Sequence, residues 1–173
     1  MKNQVLLKHC SMKKHAWLRI LDGLLIVIFL AACAGDRYHQ QMNNVKTHVQ
    51  RFYSHLESHR VNQAVSDNEQ IEVIALRAEE RLLRRVGQMD QGEKMQEWNI
   101  IRTAKETAAE NWFALARYFL EVKQYDKARG TYRRVVETYQ GSPYHSYVDR
   151  AIMGLRDVDA ILDPPILPVT PEK

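Results

Sequence analysis

The chain has 173 residues, with 25 basic and 21 acidic side chains and a formal net charge of +4. Residues 1–32 hold five of the basic residues and one acid, so 20 residues of each sign remain in the rest of the chain. The basic excess belongs to the N-terminal segment, and we therefore predict no nucleic-acid partner. The remaining length, about 140 residues, suffices for one domain with a sizeable core.

Residues 1–32 have the three parts of a signal peptide. A lysine pair precedes the apolar run 23–30, and two small residues follow that run. The sequence Leu30-Ala-Ala-Cys33 resembles the lipobox of bacterial lipoproteins. This resemblance implies cleavage before Cys33 and the attachment of diacylglycerol to its sulfur, with palmitate as the typical further lipid.

Two alternatives concern this segment. The first is an uncleaved anchor helix, but Arg19 and Asp22 interrupt the apolar stretch, and a membrane span needs about 20 apolar residues. The second concerns the start of translation, since Met12 would give a more ordinary signal peptide than Met1.

The residues around Cys33 also predict a location. In enteric lipoproteins an aspartate after the lipidated cysteine signals retention in the inner membrane, whereas this chain has Ala34. The resemblance therefore implies the periplasmic face of the outer membrane, with residues 33–37 as the tether. Cys10 lies in the segment to be removed, so no disulfide is predicted.

A first helix is predicted from a heptad-like apolar stripe with alternating intervals of four and three residues. The stripe consists of Tyr38, Met42, Val45, Val49, Phe52 and Leu56. One interpretation is a helix packed against the rest of a helical domain. The alternative is a coiled-coil dimer or trimer, although the stripe is short for a coiled coil.

Three histidines, His48, His55 and His59, fall near one side of this helix. Two histidines four residues apart can bind zinc, but a competent site needs a third ligand and usually an activating carboxylate. The chain has no His-Glu-x-x-His pattern. We therefore predict solvent-facing or packed histidines and no metal site.

The pair Ser66-Asp67 is predicted to start a second helix, with Asp67 as the cap and Gln70 reaching back to it. The far side of this helix is predicted to be solvated and to form local ion pairs. That side carries Arg77, Arg81, Arg84 and Arg85 with Glu79 and Glu80.

The segment Asp90-Gln-Gly-Glu93 has the same start signal for a third helix. Two readings remain open beyond it. Either one long helix runs to residue 122, or a break falls near residues 108–111. No proline or glycine forces such a break.

Three more helices are predicted, near 109–122, 125–139 and 144–162, and the first two carry a spaced set of aromatic and small residues. The set is Trp112, Leu115, Ala116, Phe119, Ala128, Tyr132 and Val135. These intervals resemble the tetratricopeptide repeat (TPR), a helix-turn-helix unit of about 34 residues. Residues 116–128, with 142–144, are also similar to the helical-repeat lipoproteins of the outer-membrane β-barrel assembly machine.

The TPR resemblance implies a concave groove built from the first helix of each repeat. Its lining residues would be Phe113, Arg117, Leu120, Glu121, Tyr144 and Tyr147. Exposed aromatic and arginine side chains often dominate interface energies, although Phe113 is equally suited to a core. The outer helix carries Arg129, Arg133 and Arg134, which are predicted to be solvent-exposed.

The sequence thus predicts an all-α fold of helical hairpins packed on a short TPR-like helix-turn-helix array. The regions are residues 1–32, 33–37, 38–108, 109–162 and a proline-rich tail, 163–173. No catalytic residue, cofactor or enzyme activity is predicted. We expect a lipid-anchored envelope adaptor that binds a protein or peptide. The alternative is a self-assembling helical lipoprotein without a groove.

Overall fold

A computed structural model describes residues 37–163, with the side chain of Ser142 excepted. The chain divides into two units after residue 41, and the packing below is that of the second unit, of which residues 42–163 are described. The predicted signal peptide, Cys33 and the predicted proline-rich tail after residue 163 lie outside the described residues. Within the described range, none of the helices has the length and apolarity needed to cross a bilayer.

The described residues form five α-helices and one 3₁₀ turn and contain no strand, which confirms the all-α prediction. The elements are α1 (37–57), α2 (Val61–Arg85), α3 (Gln91–Glu121), α4 (Tyr125–Thr138), the 3₁₀ turn (Ser142–Tyr144) and α5 (His145–Leu162). Helices that are consecutive from α2 to α5 pack against each other as antiparallel hairpins.

The α1–α2 and α3–α4 hairpins use the same turn. His59 and Lys123, which are 64 residues apart, both have positive φ, 56° and 59°. In each turn the following amide bonds back five residues, from Arg60 to His55 O and from Gln124 to Phe119 O. This is the Schellman motif, and both cases occur without the usual glycine. The two hairpins therefore share a turn geometry that the sequence pattern did not predict.

Helix α3 is one continuous helix of 31 residues. Its N-terminus has the predicted capping box, because Asp90 accepts from the Glu93 amide at 2.8 Å and Glu93 accepts from the Asp90 amide at 3.2 Å. The structure thus decides between the two readings of this region, and the predicted boundary between residues 108 and 109 lies inside α3.

The predicted start of the second helix at Asp67 is wrong. Helix α2 begins at Val61 and passes through Ser66 and Asp67 without interruption. The Asp67 carboxylate does not cap a helix, because it lies against α1 and contacts His48 and His55. Without a glycine or proline in this stretch, nothing in the backbone stops the helix.

All five helices contribute to the core, and its cluster around α3, α4 and α5 contains the spaced residues of the repeat pattern. Trp112, Leu115, Ala116, Phe119, Ala128, Tyr132 and Val135 are all buried. From the α1 stripe, Val45, Phe52 and Leu56 are also buried. These three side chains pack within the second unit. This agrees with the interpretation of the stripe as a helix packed against the rest of a helical domain.

Candidate functional site

The six predicted groove residues do not share one surface. Phe113 and Tyr144 are buried, with 5% and 9% of their surface exposed, and contribute to the core. Leu120 and Tyr147 are half-buried against that core. Arg117 and Glu121 are exposed. The burial of Phe113 and Tyr144 follows from the packing of α4 and α5, which a pattern on α3 alone does not reveal.

Side chains of α5 cover the ring of Phe113. Its ring centroid is 3.8 Å from the Arg150 guanidinium carbon and 6.5 Å from the Tyr147 ring. Arg150 also donates two hydrogen bonds of 2.8 Å to the Glu110 carboxylate. These bonds lower the pKa of Glu110, and the charge of Arg117 acts in the same direction. The arrangement fixes α5 on α3 and closes Phe113 off from solvent.

Arg117 and Glu121 line an open pocket between α1 and α3, called here the α1–α3 pocket. Its volume is about 460 Å³. Its lining consists of Tyr53, Leu56, Glu57, His59, Ala114, Arg117, Tyr118 and Glu121. A hydrogen bond of 2.8 Å between His59 Nδ1 and the Tyr118 hydroxyl joins the α1–α2 turn to α3 beside the pocket.

The α1–α3 pocket presents groups suited to binding a peptide. The Tyr53 ring is 43% exposed and offers apolar surface. Among residues 37–163, the Arg117 guanidinium makes no ion pair. An exposed aromatic ring and an available arginine are typical of interface hot spots.

A second pocket, called here the α2–α4 pocket, has a volume of about 530 Å³. It is lined by Glu69, Gln70, Glu72, Val73, Leu76, Glu79, Lys105, Arg134, Thr138 and Tyr139. No residue of this pocket was predicted as a site residue. Helical spacing places these residues on α2, α3 and α4, but it does not show that the three helices enclose a cavity.

Glu72 is the centre of the network that forms the wall of the α2–α4 pocket. It accepts hydrogen bonds from Trp112 Nε1 at 2.7 Å, the Tyr139 hydroxyl at 3.1 Å and Arg134 at 3.1 Å. Burial raises the pKa of the Tyr139 hydroxyl, and the Glu72 carboxylate raises it further. Tyr139 therefore remains a neutral donor at physiological pH, and the network links α2, α3 and α4.

Two arginines that were predicted to face solvent make contacts between helices. Arg134 was expected to be exposed, and 40% of its side chain is, but its guanidinium carbon also lies 4.2 Å from the Trp112 ring centroid and it bonds Glu69 and Glu72. Arg81 was placed on a solvated face, yet it makes a bidentate pair with Glu97 of α3. The partners are distant in sequence, so local pairing rules did not identify them.

The three histidines separate into two environments. His48 Nδ1 donates to Asp67 at 2.8 Å, and His55 Nε2 lies 3.3 Å from the other oxygen of the same carboxylate. His59 instead contacts Tyr118. Across residues 37–163, no three or more His, Cys, Asp or Glu side chains are arranged to hold a metal ion.

Comparison with known proteins adds no assignment. No protein-family model, curated protein or solved structure matches the chain. The candidate sites therefore stand on their geometry and on the residues described above.

Proposed function

We propose that this chain is a lipid-anchored adaptor of the TPR type that binds a protein or peptide in the bacterial envelope. Cys33 would attach it to the outer membrane, and its helical unit would face the periplasm. A contribution to outer-membrane protein assembly is the specific role that we propose. The signal-peptide pattern and the lipobox-like sequence before Cys33 support the anchor.

The observation that carries the proposal is the α1–α3 pocket. Arg117 and Glu121 were proposed as groove residues from the repeat pattern, and both line this pocket beside Tyr53 and Tyr118. The equivalent turns at His59 and Lys123 further support a repeated helix-turn-helix unit. In the tetratricopeptide arrays that this pattern resembles, the first helices of successive hairpins line the inner surface, and stacked repeats use such concave surfaces for binding.

The alternative was self-assembly through the α1 stripe. This alternative needs the stripe to be available to another copy. Val45, Phe52 and Leu56 are between 0% and 8% exposed within the second unit. Their burial favours the adaptor over a coiled coil formed by this stripe.

The adaptor proposal is tested by chemical crosslinking and pull-down from native membranes. The full chain is compared with Arg117→Glu, and Arg133→Glu serves as the control because Arg133 is exposed on α4 and outside the pocket. We expect one envelope complex with the wild type and with Arg133→Glu, and its loss with Arg117→Glu. Unchanged recovery with Arg117→Glu, or capture of the chain alone, would contradict the proposal.

The anchor needs a separate test. Cells that express the full chain are labelled with radioactive palmitate, and wild type is compared with Cys33→Ser. We expect label in the wild-type protein only, together with release of the Cys33→Ser protein from membranes. Membrane retention of an unlabelled wild-type chain would contradict lipidation and favour an uncleaved anchor.

A further inference from the structure

The α2–α4 pocket combines an apolar floor with a charged rim, and the adaptor proposal does not use it. Leu76 is 53% exposed and Val73 is half-buried, so both leave apolar surface open inside the pocket. Ligand pockets are lined mainly by apolar side chains with a few polar groups, and this pocket has that combination.

The rim of this pocket carries an excess of negative charge. Three carboxylates, Glu69, Glu72 and Glu79, line it together with two cations, Lys105 and Arg134. Lys105 pairs with Glu79. Arg134 is shared between Glu69 and Glu72, at 3.1 Å from each. One carboxylate charge is therefore left without a matching cation within the pocket.

The end of α4 adds to this negative potential. Helix α4 ends at Thr138, which lines the pocket, and its last turn contains no basic residue. The C-terminus of a helix carries a partial negative charge, which favours a cation nearby. The helix end and the carboxylate excess act in the same direction, so the pocket is complementary to a positive group.

We propose that the α2–α4 pocket docks a lysine or arginine side chain from a basic segment of a partner protein. The aliphatic stem of such a side chain packs on Leu76 and Val73, and its cationic head reaches Glu69 and the end of α4. Long basic side chains place apolar stems on apolar surface in this way while the charge stays in a polar environment. Glu72 remains occupied by its bonds to Trp112 and Tyr139.

The test uses fluorescein-labelled peptides and the full chain in nanodiscs of zwitterionic lipid, with fluorescence anisotropy as the readout. The probe is a short peptide in which lysine alternates with glycine. In a second peptide diaminobutyrate replaces lysine, which keeps the charge and shortens the stem by two methylenes, and in a third norleucine replaces lysine and removes the charge. We expect saturable binding of the lysine peptide and binding about tenfold weaker for each of the other two.

Matched variants locate the binding. Glu69→Lys is expected to weaken binding of the lysine peptide by about tenfold or more. Glu80→Lys makes the same charge change on the same helix, outside the pocket, and is expected to leave the affinity nearly unchanged. Leu76→Gln removes the apolar floor at an exposed position and is expected to weaken binding even if Glu69→Lys should fail to fold.

Three results would overturn the proposal. The first is no saturable binding of the lysine peptide up to about millimolar concentration. The second is equal affinity for the lysine and diaminobutyrate peptides, which would indicate diffuse charge attraction. The third is an equal loss in Glu69→Lys and Glu80→Lys. None of these outcomes depends on Arg117, so the adaptor proposal is tested independently.

Discussion

Gly154 of α5 lies directly against the ring of Tyr132 in α4. A Cβ atom built on Gly154 would be 2.6 Å from Tyr132 Cζ and 2.9 Å from Cε2. The Tyr132 ring is buried, and burial also raises the pKa of its hydroxyl. The close approach of α5 to α4 thus depends on the missing side chain at position 154.

We predict that Gly154→Ala destabilises the protein by about 1–3 kcal/mol, because the ring must move within a packed core. Gly130 in α4 is the control, since a Cβ there meets nothing within 4 Å. Gly130→Ala should raise the free energy of unfolding by about 0.5–1 kcal/mol through helix propensity. Urea unfolding followed by circular dichroism measures both, and an equal effect of the two variants would contradict the contact.

The second prediction concerns Glu72. Glu72→Ala leaves the Trp112 Nε1–H, the Tyr139 hydroxyl and the Arg134 guanidinium without their shared acceptor. We expect a loss of about 2–3 kcal/mol, because partly buried donors lose their partner.

The matched control for Glu72 is Glu80→Ala, which removes only an exposed pair with Arg84. Its expected effect is within about 0.5 kcal/mol. Thermal unfolding of both variants measures the difference. A Glu72→Ala protein as stable as Glu80→Ala would show that the network contributes nothing to the packing of α2 on α3 and α4.

A third prediction follows from the positive φ of 59° at Lys123. A left-handed backbone strains any residue with a Cβ by about 1 kcal/mol, and glycine removes that strain. Lys123→Gly should therefore stabilise the protein by about 0.5–1 kcal/mol. Lys123→Ala retains the Cβ and should change the free energy of unfolding little, so a stabilisation shared by both variants would exclude backbone strain as the cause.

The fourth prediction concerns the pH dependence of stability. The bonds from Arg150 lower the pKa of Glu110 in the folded protein below its usual value of 4.5. The resulting stabilisation is present above pH 4.5 and is lost as the pH falls through the lowered pKa. Because both side chains are nearly half exposed, the effect should stay below about 1 kcal/mol.

The measurement for Glu110 is the free energy of unfolding across the acidic range. Glu110→Gln removes the titrating group and keeps the shape of the side chain. We expect its stability to fall less steeply with decreasing pH than that of the wild type. Parallel curves for the two proteins would show that the pair with Arg150 does not contribute to acid sensitivity.

Local sequence determined most of the helical framework. The capping box of Asp90 and Glu93 involves only a few neighbouring residues, and it was predicted correctly. The 3.6-residue period of the repeat pattern likewise identified buried positions such as Trp112, Phe119 and Tyr132. Such features depend on residues within one or two turns of each other, so the sequence is sufficient to find them.

Tertiary structure decided the role of most polar residues. Asp67 is of a residue type that often caps helices, but its carboxylate bonds to His48, 19 residues earlier. Arg134 has the spacing of an exposed face, but it bonds to Glu72, 62 residues earlier. A local pattern gives no information about partners at such separations.

In the candidate site, too, some residues were predictable from the sequence and others were not. The repeat pattern placed Arg117 and Glu121 on an accessible side of α3, and both line the α1–α3 pocket. It also assigned Tyr144 to that surface and left Phe113 open between the surface and the core, and both are buried. Apolar residues occur on more than one side of such a helix, and the sequence does not show which side is packed. Only the docking of α4 and α5 determines which apolar side chains lose contact with water.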